Sequence, residues 1–410
     1  MKILHINKFF HFTGGGDRYF FDLASVMKQR GHENIFFSTL DPANYETPYE
    51  KYFVKGFSEA NFSTLHLADK IRIFFNGIYS FEAKRKIRHL LRETKPNIAH
   101  VYNIFYQLSP SIFHSLKAEN VPVVMSLLDS QTICASGSLY VKGHDCQRCK
   151  ESHINIIKNR CFKNSLPASL MGFFAKKVHN LLKIWENVDL FITASSNFKD
   201  ILVDWGFDEE KIVVNPYYAE VKTVTPHYNF QDYCLFVGRL TFEKGVDILL
   251  EAIKKVNVKL VIIGDGSARK WMEDYVKTEN MKNVAFLGTI ESKKELYNYI
   301  KNSMFIIIPS SWFELFPLIA LNSFCLGKPV IGSDSGGIPE IVEHRKNGLI
   351  FHRGDSDGLK NAIEYLVNDK NLIIEYGKNA RKKAEENYTE EKHYSKIIDA
   401  YDSVYRRNKR

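Results

Sequence analysis

The strongest constraint on the fold is an alternation of short apolar segments with amphipathic segments of helical periodicity. The apolar segments are near-continuous runs, which is typical of parallel strands buried on both faces. The pattern occurs in two series. The predicted strands of the first series are residues 2–6, 34–40, 97–102, 121–128, 189–195 and 211–215, and those of the second are 233–238, 258–264, 283–288, 304–309, 328–332 and 348–351. We therefore expect an α/β protein with two Rossmann-like domains that face a central cleft.

A polar, proline-containing stretch divides the chain. It covers residues 216–232, and we interpret it as a linker between a first domain of residues 1–215 and a second domain of residues 233–388. Residues 389–410 are helical in pattern and rich in tyrosine, so we expect a terminal helix that packs back on the first domain. Ligands of open α/β sheets bind at the carboxyl ends of the strands, which places the expected site between the domains.

Composition and charge limit the classes of protein that fit. The 410 residues are 45% hydrophobic and 25% charged, which is ordinary for a globular protein. No apolar run approaches the roughly 20 residues of a membrane span, and the apolar start MKILHINKFF leads into a glycine loop, so we expect a cytoplasmic protein. The formal charge of +9 is the only feature that favours nucleic acid, and we expect none. We prefer the inner membrane surface, with its anionic lipids, as a peripheral partner.

Glycine-containing turns follow several predicted strands and precede predicted helices. Glycine lets a ligand approach the backbone closely, and a helix N-terminus offers N–H groups to an anion. One such turn is common for structural reasons alone, but four in the second domain point to a phosphorylated ligand. The turns are Gly14–Gly16 in the first domain, and Gly238–Gly245, Gly264–Ser267, Pro309–Glu314 and Gly336–Glu340 in the second.

Two cations and a carboxylate lie in these turns. Arg239 and Lys244 flank one strand end, where a guanidinium and an ammonium can neutralise a diphosphate. The alternative is that both are solvated surface cations without a ligand. Their position between a strand and a helix start marked by glycine argues against this alternative. Glu314 precedes a helix predicted to begin near Phe316, and it is either a ligand contact or a capping acid.

These segments resemble the group 1 glycosyltransferases, a large family of retaining enzymes with the two-domain GT-B architecture. The resemblance is carried by GRLTFEKGVDILLEAI, VIIGDGS, NVAFLG and PSSWFELFPLIALNSFCLGKPVIGSDSGGIPEIV. It covers the whole second domain. The first domain matches more loosely, through its glycine loop and the segments PNIAHVYN and MSLLDSQTICASG.

The resemblance implies a hexosyl or deoxyhexosyl transferase for surface polysaccharide biosynthesis. The donor would be a nucleoside-diphosphate sugar of UDP or GDP type, bound by the second domain. The acceptor would be a glycan or a lipid-linked glycan, bound by the first domain. No catalytic metal would be needed, because two cations and the helix ends would replace it, and the anomeric configuration would be retained.

The resemblance also implies roles for individual residues. Arg239 and Lys244 would hold the diphosphate, and Glu314 would contact the donor sugar. Asp129 and Asp17 would face the cleft from the first domain, although Asp17 can equally be a first-turn helix acid. The remaining positions expected to bind the donor are Gly15, Gly16, Gly238, Gly264, Phe286, Gly288, Phe316, Leu318 and Asn322.

The sequence departs from the family pattern at two positions. Asn322 stands where the family has a second glutamate that binds the ribose, and Leu128 stands where it has a histidine that bonds the donor sugar near carbon 6. An apolar contact would suit a donor without a 6-hydroxyl. Both changes also leave open a protein that binds a nucleotide sugar or glycan without transfer. His100 is either a cleft residue or a satisfied strand-end histidine.

Four of the six cysteines lie in one polar segment. Their spacing is C-x11-C-x2-C-x11-C, formed by Cys134, Cys146, Cys149 and Cys161. Four thiolates would satisfy a structural zinc, which we state as a hypothesis because the outer spacings are not diagnostic. Cys234 and Cys325 lie in apolar stretches, and we interpret them as buried core residues.

Two basic helical segments occur in the first domain. One, Leu166–Asp189, carries Lys176, Lys177 and Lys183 among aromatic and aliphatic residues. It is either a core helix with a solvated basic side or a helix on a membrane surface. The other contains Lys84, Arg85, Lys86 and Arg88, and the basic tail ends with Arg406, Arg407, Lys409 and Arg410.

Two other classes with similar domains fit less well. A nicotinamide dehydrogenase needs G-x-G-x-x-G and an acid at the end of the second strand, and this chain has GGGD and no such acid. A phosphorylase would need a pyridoxal-binding lysine and a longer chain.

Overall fold

The computed structural model describes residues 1–57, 66–162 and 164–408. The first domain is built on a parallel sheet in the order β10-β9-β6-β5-β1-β2, with two small two-stranded sheets, β3-β4 and β7-β8. The strands are β1 (Lys2–Ile6), β2 (Glu33–Phe37), β3 (Thr39–Leu40), β4 (Val54–Lys55), β5 (Ile98–Val101), β6 (Val123–Leu127), β7 (Tyr140–Val141), β8 (His144–Asp145), β9 (Leu190–Thr193) and β10 (Ile212–Val214).

Helices cover both faces of this sheet, as the continuous apolar strands require. They are α1 (Gly15–Gln29), α2 (Leu67–Ile78), α3 (Phe81–Thr94), α4 (Ile112–Ala118), α5 (Ile154–Lys158), α6 (Leu166–Leu181) and α7 (Ser196–Asp204). Ser80, Ser165 and Ser195 accept N-cap hydrogen bonds at the starts of α3, α6 and α7.

The second domain has its own parallel sheet, in the doubly wound order β13-β12-β11-β14-β15-β16. Its strands are β11 (Tyr233–Val237), β12 (Lys259–Ile263), β13 (Val284–Gly288), β14 (Ile306–Ile308), β15 (Val330–Ser333) and β16 (Gly348–Phe351). Its helices are α8 (Val246–Ile253), α9 (Arg269–Thr278), α10 (Lys293–Asn302), α11 (Leu318–Cys325), α12 (Ile338–Ile341), α13 (Ser356–Val367) and α14 (Lys370–Asn387).

The last helix, α15 (Glu390–Arg407), returns to the first domain. Ile397, Tyr401 and Val404 of α15 are buried in a cluster that contains Ile3 and Tyr102 of the first sheet. The predicted α/β class, with two parallel-sheet domains and a returning helix, is therefore confirmed. Arg406 and Arg407 lie at the end of α15, and residues 409 and 410 of the basic tail are outside the described residues.

One helix boundary differs from the sequence-based expectation. The helix predicted near Phe316 begins at Leu318, because Pro317 has an extended backbone and serves as its N-cap residue. Cys234 and Cys325 are fully buried, as expected of core residues. Within the described residues, no helix combines the length and the apolar character that crossing a bilayer requires.

Candidate functional site

The site lies where the order of the second sheet reverses. Strands β11 and β14 are neighbours in the sheet although β12 and β13 lie between them in the chain, and their carboxyl ends open a crevice. The turn after β11 carries Arg239 and Lys244, and the turn after β14 carries Trp312 and Glu314. Backbone hydrogen bonds from Ser311 and Trp312 N–H to the Glu243 carbonyl tie the two turns together.

Glu314 is the buried centre of this crevice, with 7% of its surface exposed. Its Oε1 accepts three hydrogen bonds: from Lys244 Nζ at 2.5 Å, from Ser310 Oγ at 2.6 Å and from Trp312 Nε1 at 2.8 Å. Burial raises the pKa of this carboxyl, but the charge of Lys244 and the three hydrogen bonds outweigh burial, so the pKa lies below its ordinary value. Glu314 is therefore an ionised carboxylate held in one orientation.

Trp312 joins the carboxylate to the two cations. Besides its bond to Glu314, its ring lies under Lys244 Nζ, 4.8 Å from the ring centroid, and under Arg239 Cζ, 5.6 Å away. No role for Trp312 was predicted from the sequence. The signal was available, since an indole two residues before a carboxylate has an N–H that reaches it.

The glycine loop of the first domain lies across the crevice. A Cβ on Gly15 would be 3.4 Å from Leu318 Cδ1, and a Cβ on Gly16 would be 3.3 Å from Leu128 Cδ1. Leu318 belongs to the first turn of α11, where helix N–H groups are available to an anion. The structure thus brings the expected residues Gly15, Gly16 and Leu318 to one place, with Leu128 beside them.

Asp17 stabilises this loop instead of facing an acceptor. Its Oδ1 accepts from Asn7 Nδ2 at 2.8 Å, and its Oδ2 accepts from the backbone N–H and the hydroxyl of Thr13. The structural alternative for Asp17 is therefore the correct one.

Asp129 follows β6 on the first-domain side. Its carboxylate accepts from Gln131 N–H at 2.8 Å and from Asn103 Nδ2 at 3.1 Å. Burial raises the pKa of Asp129 in spite of these bonds and of the charges of Lys8 and Lys176. A carboxyl with a raised pKa beside the cleft is a candidate contact for an acceptor hydroxyl.

Asn322 lies on α11, where its Oδ1 accepts a hydrogen bond from Tyr297 OH at 3.2 Å. Tyr297 also lies beneath Lys293 Nζ, 5.3 Å from the ring centroid. Tyr297 was not predicted as a site residue, because it lies on α10 and no local sequence pattern there indicates a site. Asn322 and Tyr297 together form a neutral polar pair where the family has a carboxylate.

The aromatic positions expected to bind the donor are largely packed inside the second domain. Phe316 is 5% exposed and contacts the rings of Tyr217 and Tyr388. Phe286 is partly buried and packs on the core of the second domain. The Gly288 carbonyl accepts a bond from Gly264 N–H at 2.8 Å. Phe316 is therefore mainly a core residue, whereas Phe286 and Gly288 are partly exposed.

Two of the glycine turns pack backbone on backbone against a neighbouring turn. Gly264 has φ of +135°, and a Cβ there would be 1.9 Å from the Gly238 carbonyl oxygen. A Cβ on Gly336 would be 2.0 Å from the Glu314 carbonyl oxygen, and Gly337 N–H donates to that oxygen at 2.7 Å. Backbone packing against the neighbouring turns that carry Arg239 and Glu314 therefore accounts for both glycines, and a phosphate contact at these turns stays a prediction.

Contacts between the domains hold the cleft together. Both oxygens of Glu340 accept from the first N–H groups of α7, Ser196 and Asn197, at 2.9 Å each, where the helix dipole favours a carboxylate. Arg353 forms a two-point bond with Asp145 in the β7–β8 hairpin, with both N···O distances at 2.6 Å. Neither contact was predicted from the sequence.

His100 is a satisfied strand histidine. It is fully buried, with Nδ1 2.6 Å from Tyr401 OH and Nε2 2.7 Å from Ser126 Oγ. Burial lowers its pKa well below the usual range, so the ring is neutral. His100 fastens α15 to the first sheet and does not reach the cleft.

The zinc hypothesis for the four clustered cysteines gains no support from the placement of their side chains. Among the described residues, no three Cys, His, Asp or Glu side chains are placed to bind a metal ion. Cys134 and Cys149 are buried and all four thiols are unpaired. Burial, reinforced by the neighbouring cysteines, raises the pKa of Cys149 to about 12 and that of Cys161 to about 11. The thiols help to pack the hairpin segment that carries Asp145 against α6.

Lys176 corrects the interpretation of α6. It was expected on a solvated basic side but is 4% exposed, and its ammonium donates to the carbonyls of Gln131 and Thr132. Burial lowers the pKa of Lys176 to about 8. It fixes the loop that follows Asp129.

These features define a two-domain α/β protein of the GT-B architecture, with a cation-lined crevice at the switch point of its second sheet. A family model described as Glycosyltransferase Family 4 matches residues 13–217, half of the chain, and one described as Glycosyl transferases group 1 matches residues 219–383. The chain belongs to this glycosyltransferase family.

Similar proteins with known sequences or structures agree with this assignment. An uncharacterized glycosyltransferase of Methanocaldococcus jannaschii is 32% identical over 195 residues, which is 48% of this chain and 54% of that protein. The chain thus spans about half the length of this relative. The N-acetyl-alpha-D-glucosaminyl L-malate synthase of Bacillus anthracis is 22% identical over 96% of this chain and 94% of its own length.

Solved structures share the whole fold. Sucrose-phosphate synthase from Thermosynechococcus elongatus superposes with a TM-score of 0.73 at 17% identity, covering 98% of this chain and 99% of that one. The Anabaena protein HepE in complex with UDP and glucose gives a TM-score of 0.69 at 18% identity, covering 98% and 100%. At these identities the likeness concerns the fold alone.

Proposed function

We propose that the chain is a retaining glycosyltransferase that moves a sugar from a nucleoside-diphosphate sugar, of uridine or guanosine type, to a glycan or lipid-linked acceptor in surface polysaccharide biosynthesis. The observation that carries the proposal is the cluster of Arg239, Lys244, Trp312 and Glu314 at the switch point, opposite the glycine loop. Two cations beside an oriented carboxylate suit a ligand with a diphosphate at one end and sugar hydroxyls at the other.

In the proposed reaction the two cations stabilise the leaving group. Arg239 and Lys244 bind the diphosphate and offset the charge that develops as the bond between sugar carbon 1 and the phosphate oxygen breaks. The acceptor oxygen bonds to carbon 1 on the same face, and its proton passes to the leaving phosphate oxygen. Glu314 accepts a hydrogen bond from a sugar hydroxyl, and Asp129 orients the acceptor from the first domain.

The donor sugar is proposed to lack a 6-hydroxyl. Leu128 is close to the glycine loop, 3.3 Å from the position of a Cβ on Gly16, and presents an apolar surface beside the donor site. A hydroxyl placed there would lose hydrogen bonds with water and find no partner, which disfavours it. A 6-deoxyhexose or a pentose avoids this penalty.

A second candidate function is binding of a nucleotide sugar without transfer. The observation that favours it is the Tyr297–Asn322 hydrogen bond, which uses one of the two lone pairs of Asn322 Oδ1 and leaves a neutral pair at the position expected to bind the ribose. Weaker ribose binding is compatible with a protein that senses the donor rather than consuming it.

A panel of UDP- and GDP-sugars, with and without a 6-hydroxyl, tests the proposal by release of nucleoside diphosphate. Release from one donor that is lost in Lys244→Ala supports an enzyme, and preference for a donor without the 6-hydroxyl supports the role of Leu128. If only 6-hydroxylated donors react, the Leu128 proposal is wrong. If calorimetry detects donor binding but no donor is consumed with any glycan acceptor, the binding function is favoured.

A further inference from the structure

Helices α2 and α6 of the first domain pack together and leave an apolar outer surface. Their contact is close, because a Cβ on Gly77 of α2 would be only 2.6 Å from Met171 Sδ of α6. The rings of Phe74 and Phe174 meet edge to face at 6.5 Å. Ile73 of α2 and Met171 of α6 are buried, so the inner sides of both helices are already used for packing.

The outer sides carry large apolar side chains that are between 44% and 83% exposed. On α2 the exposed apolar side chains recur every four residues and so lie on one helical face. On α6 the exposed apolar side chains lie on the same helical face as Lys177. Leu67 is 74%, Phe75 63% and Leu181 83% exposed. We call this surface the α2–α6 face, and it consists of Leu67, Ile71, Phe75, Leu166, Phe174 and Leu181. A continuous apolar surface of this kind marks a contact site.

Positive charge borders the α2–α6 face. Lys177 projects between Phe174 and Leu181, is exposed, and forms no ion pair with any described residue. Lys183 lies two residues after the end of α6, with 73% of its side chain exposed, and forms an exposed ion pair with Glu186 at 3.6 Å. The acidic residue of α2, Asp69, is neutralised by Arg72 and Lys55 at 3.5 and 3.7 Å. Exposed apolar residues with lysines at their border suit the interface of an anionic bilayer.

The α2–α6 face is separated from the cleft by the thickness of one helix. On the opposite side of α6, Lys176 donates to the carbonyls of Gln131 and Thr132, in the loop that follows Asp129. A bilayer against the outer side of α6 would therefore lie near the side of the cleft that we assign to the acceptor.

We propose that the α2–α6 face docks the protein on a bilayer that contains anionic lipids, with the apolar side chains inserted at the headgroup boundary and the lysines contacting the headgroups. If the protein is a transferase as proposed, docking implies that the acceptor is presented from the membrane as a lipid-linked molecule. The docking proposal itself does not depend on the transferase function.

The test is co-sedimentation of the full chain with vesicles, without any sugar nucleotide. We expect the protein to bind vesicles of phosphatidylcholine with phosphatidylglycerol, and to bind less to phosphatidylcholine alone or at high salt. The double variant I71E/F75E, and separately Leu181→Glu, should lower the vesicle affinity about tenfold or more. Tyr365→Glu is the control, since Tyr365 is a partly exposed aromatic residue of the second domain, and it should bind like the wild type.

Three results would overturn the proposal. In the first, the wild type stays in solution with both kinds of vesicle. In the second, both variants bind vesicles as the wild type does. In the third, the wild type does not bind vesicles, and sedimentation velocity shows a dimer that I71E/F75E converts to a monomer. The last result would make the face a contact with a second copy. Unchanged circular dichroism shows that the variants are folded. Nucleoside diphosphate release in vesicle-free buffer is measured separately, so failure of docking and failure of the transferase proposal are told apart.

Discussion

Lys244 Nζ and Glu314 Oε1 are 2.5 Å apart in the ligand-free crevice, although 70 residues separate them in the chain. The same oxygen also accepts from Ser310 and Trp312, so all three donors converge on Oε1. Within the described residues Oε2 accepts no hydrogen bond from a side chain. The crevice is thus organised before any ligand binds, with one carboxylate oxygen still available.

Replacement of Glu314 by Gln should reduce nucleoside diphosphate release about a hundredfold or more, because an oriented charge beside the donor sugar is lost. The loss should fall mainly on kcat, measured with the best donor of the panel. Glu243→Gln changes a neighbouring carboxylate of the same crevice wall and should leave kcat within about twofold of the wild type. Equal effects of the two substitutions would contradict the role of Glu314.

Trp312→Phe should lower kcat about tenfold. The substitution keeps an aromatic face under Arg239 and Lys244 but removes the indole N–H that donates to Glu314, a bond to a charged group worth about 1.5–3 kcal/mol. Trp271→Phe, on the exposed side of α9, is the matched control. If Trp312→Phe retains full kcat, the indole hydrogen bond does not position the carboxylate.

The attachment of α15 can be measured by stability. Tyr401→Phe removes a fully buried hydroxyl and leaves His100 Nδ1 without its 2.6 Å partner, which should lower the free energy of unfolding by about 1–3 kcal/mol. Tyr394 lies on the same helix as Tyr401 and forms a partly buried hydrogen bond with His32. Tyr394→Phe removes that bond and should lower the free energy of unfolding by less. Urea denaturation of both variants provides the comparison, and an equal or larger loss for Tyr394→Phe would contradict the account.

Lys328 gives the fold a pH dependence. Its ammonium is buried, donates to the Asn229 carbonyl at 2.9 Å, and burial lowers its pKa from 10.5 to about 7. Between pH 7 and 10.5 the unfolded chain therefore binds more protons at this residue than the folded chain, so its contribution to stability rises with pH across that window.

The variant Lys328→Met should show a smaller increase in urea midpoint between pH 7 and pH 9 than the wild type shows. Lys370→Met removes an exposed lysine that is paired with Asp232, and it should leave the increase unchanged. If the urea midpoints of Lys328→Met and the wild type change in parallel with pH, the buried amine of Lys328 is not the source of the pH dependence of stability.

The strands and the crevice were predictable because their signals are local. Continuous apolar runs identify buried parallel strands, and strand ends converge by topology, so Arg239, Lys244 and Glu314 were placed in one site from the sequence. The glycines of the same turns were less informative about a ligand. Glycine is needed both in a turn that lets a phosphate approach the backbone and in a turn that packs against a neighbouring carbonyl group. Gly264 and Gly336 are of the second kind.

Contacts across the cleft were not predictable. Glu340 caps a helix of the other domain, and Arg353 binds Asp145, which lies more than 200 residues away in the chain. No sequence periodicity links such partners. Burial of a single polar residue is equally hard to infer. Lys176 lies in a lysine-rich helix and is distinguished from Lys177 only by the carbonyls of Gln131 and Thr132 that meet it.

Calorimetric titration of UDP and GDP into the wild type, Arg239→Ala and Lys244→Ala tests the central claim most directly, because it needs no acceptor and no knowledge of the sugar. We predict that one nucleotide binds the wild type and that each substitution weakens its affinity about tenfold or more, since each removes a charge-assisted contact to the diphosphate. Binding that is absent for both nucleotides, or unchanged in both variants, would contradict the assignment of this crevice to a nucleoside-diphosphate sugar.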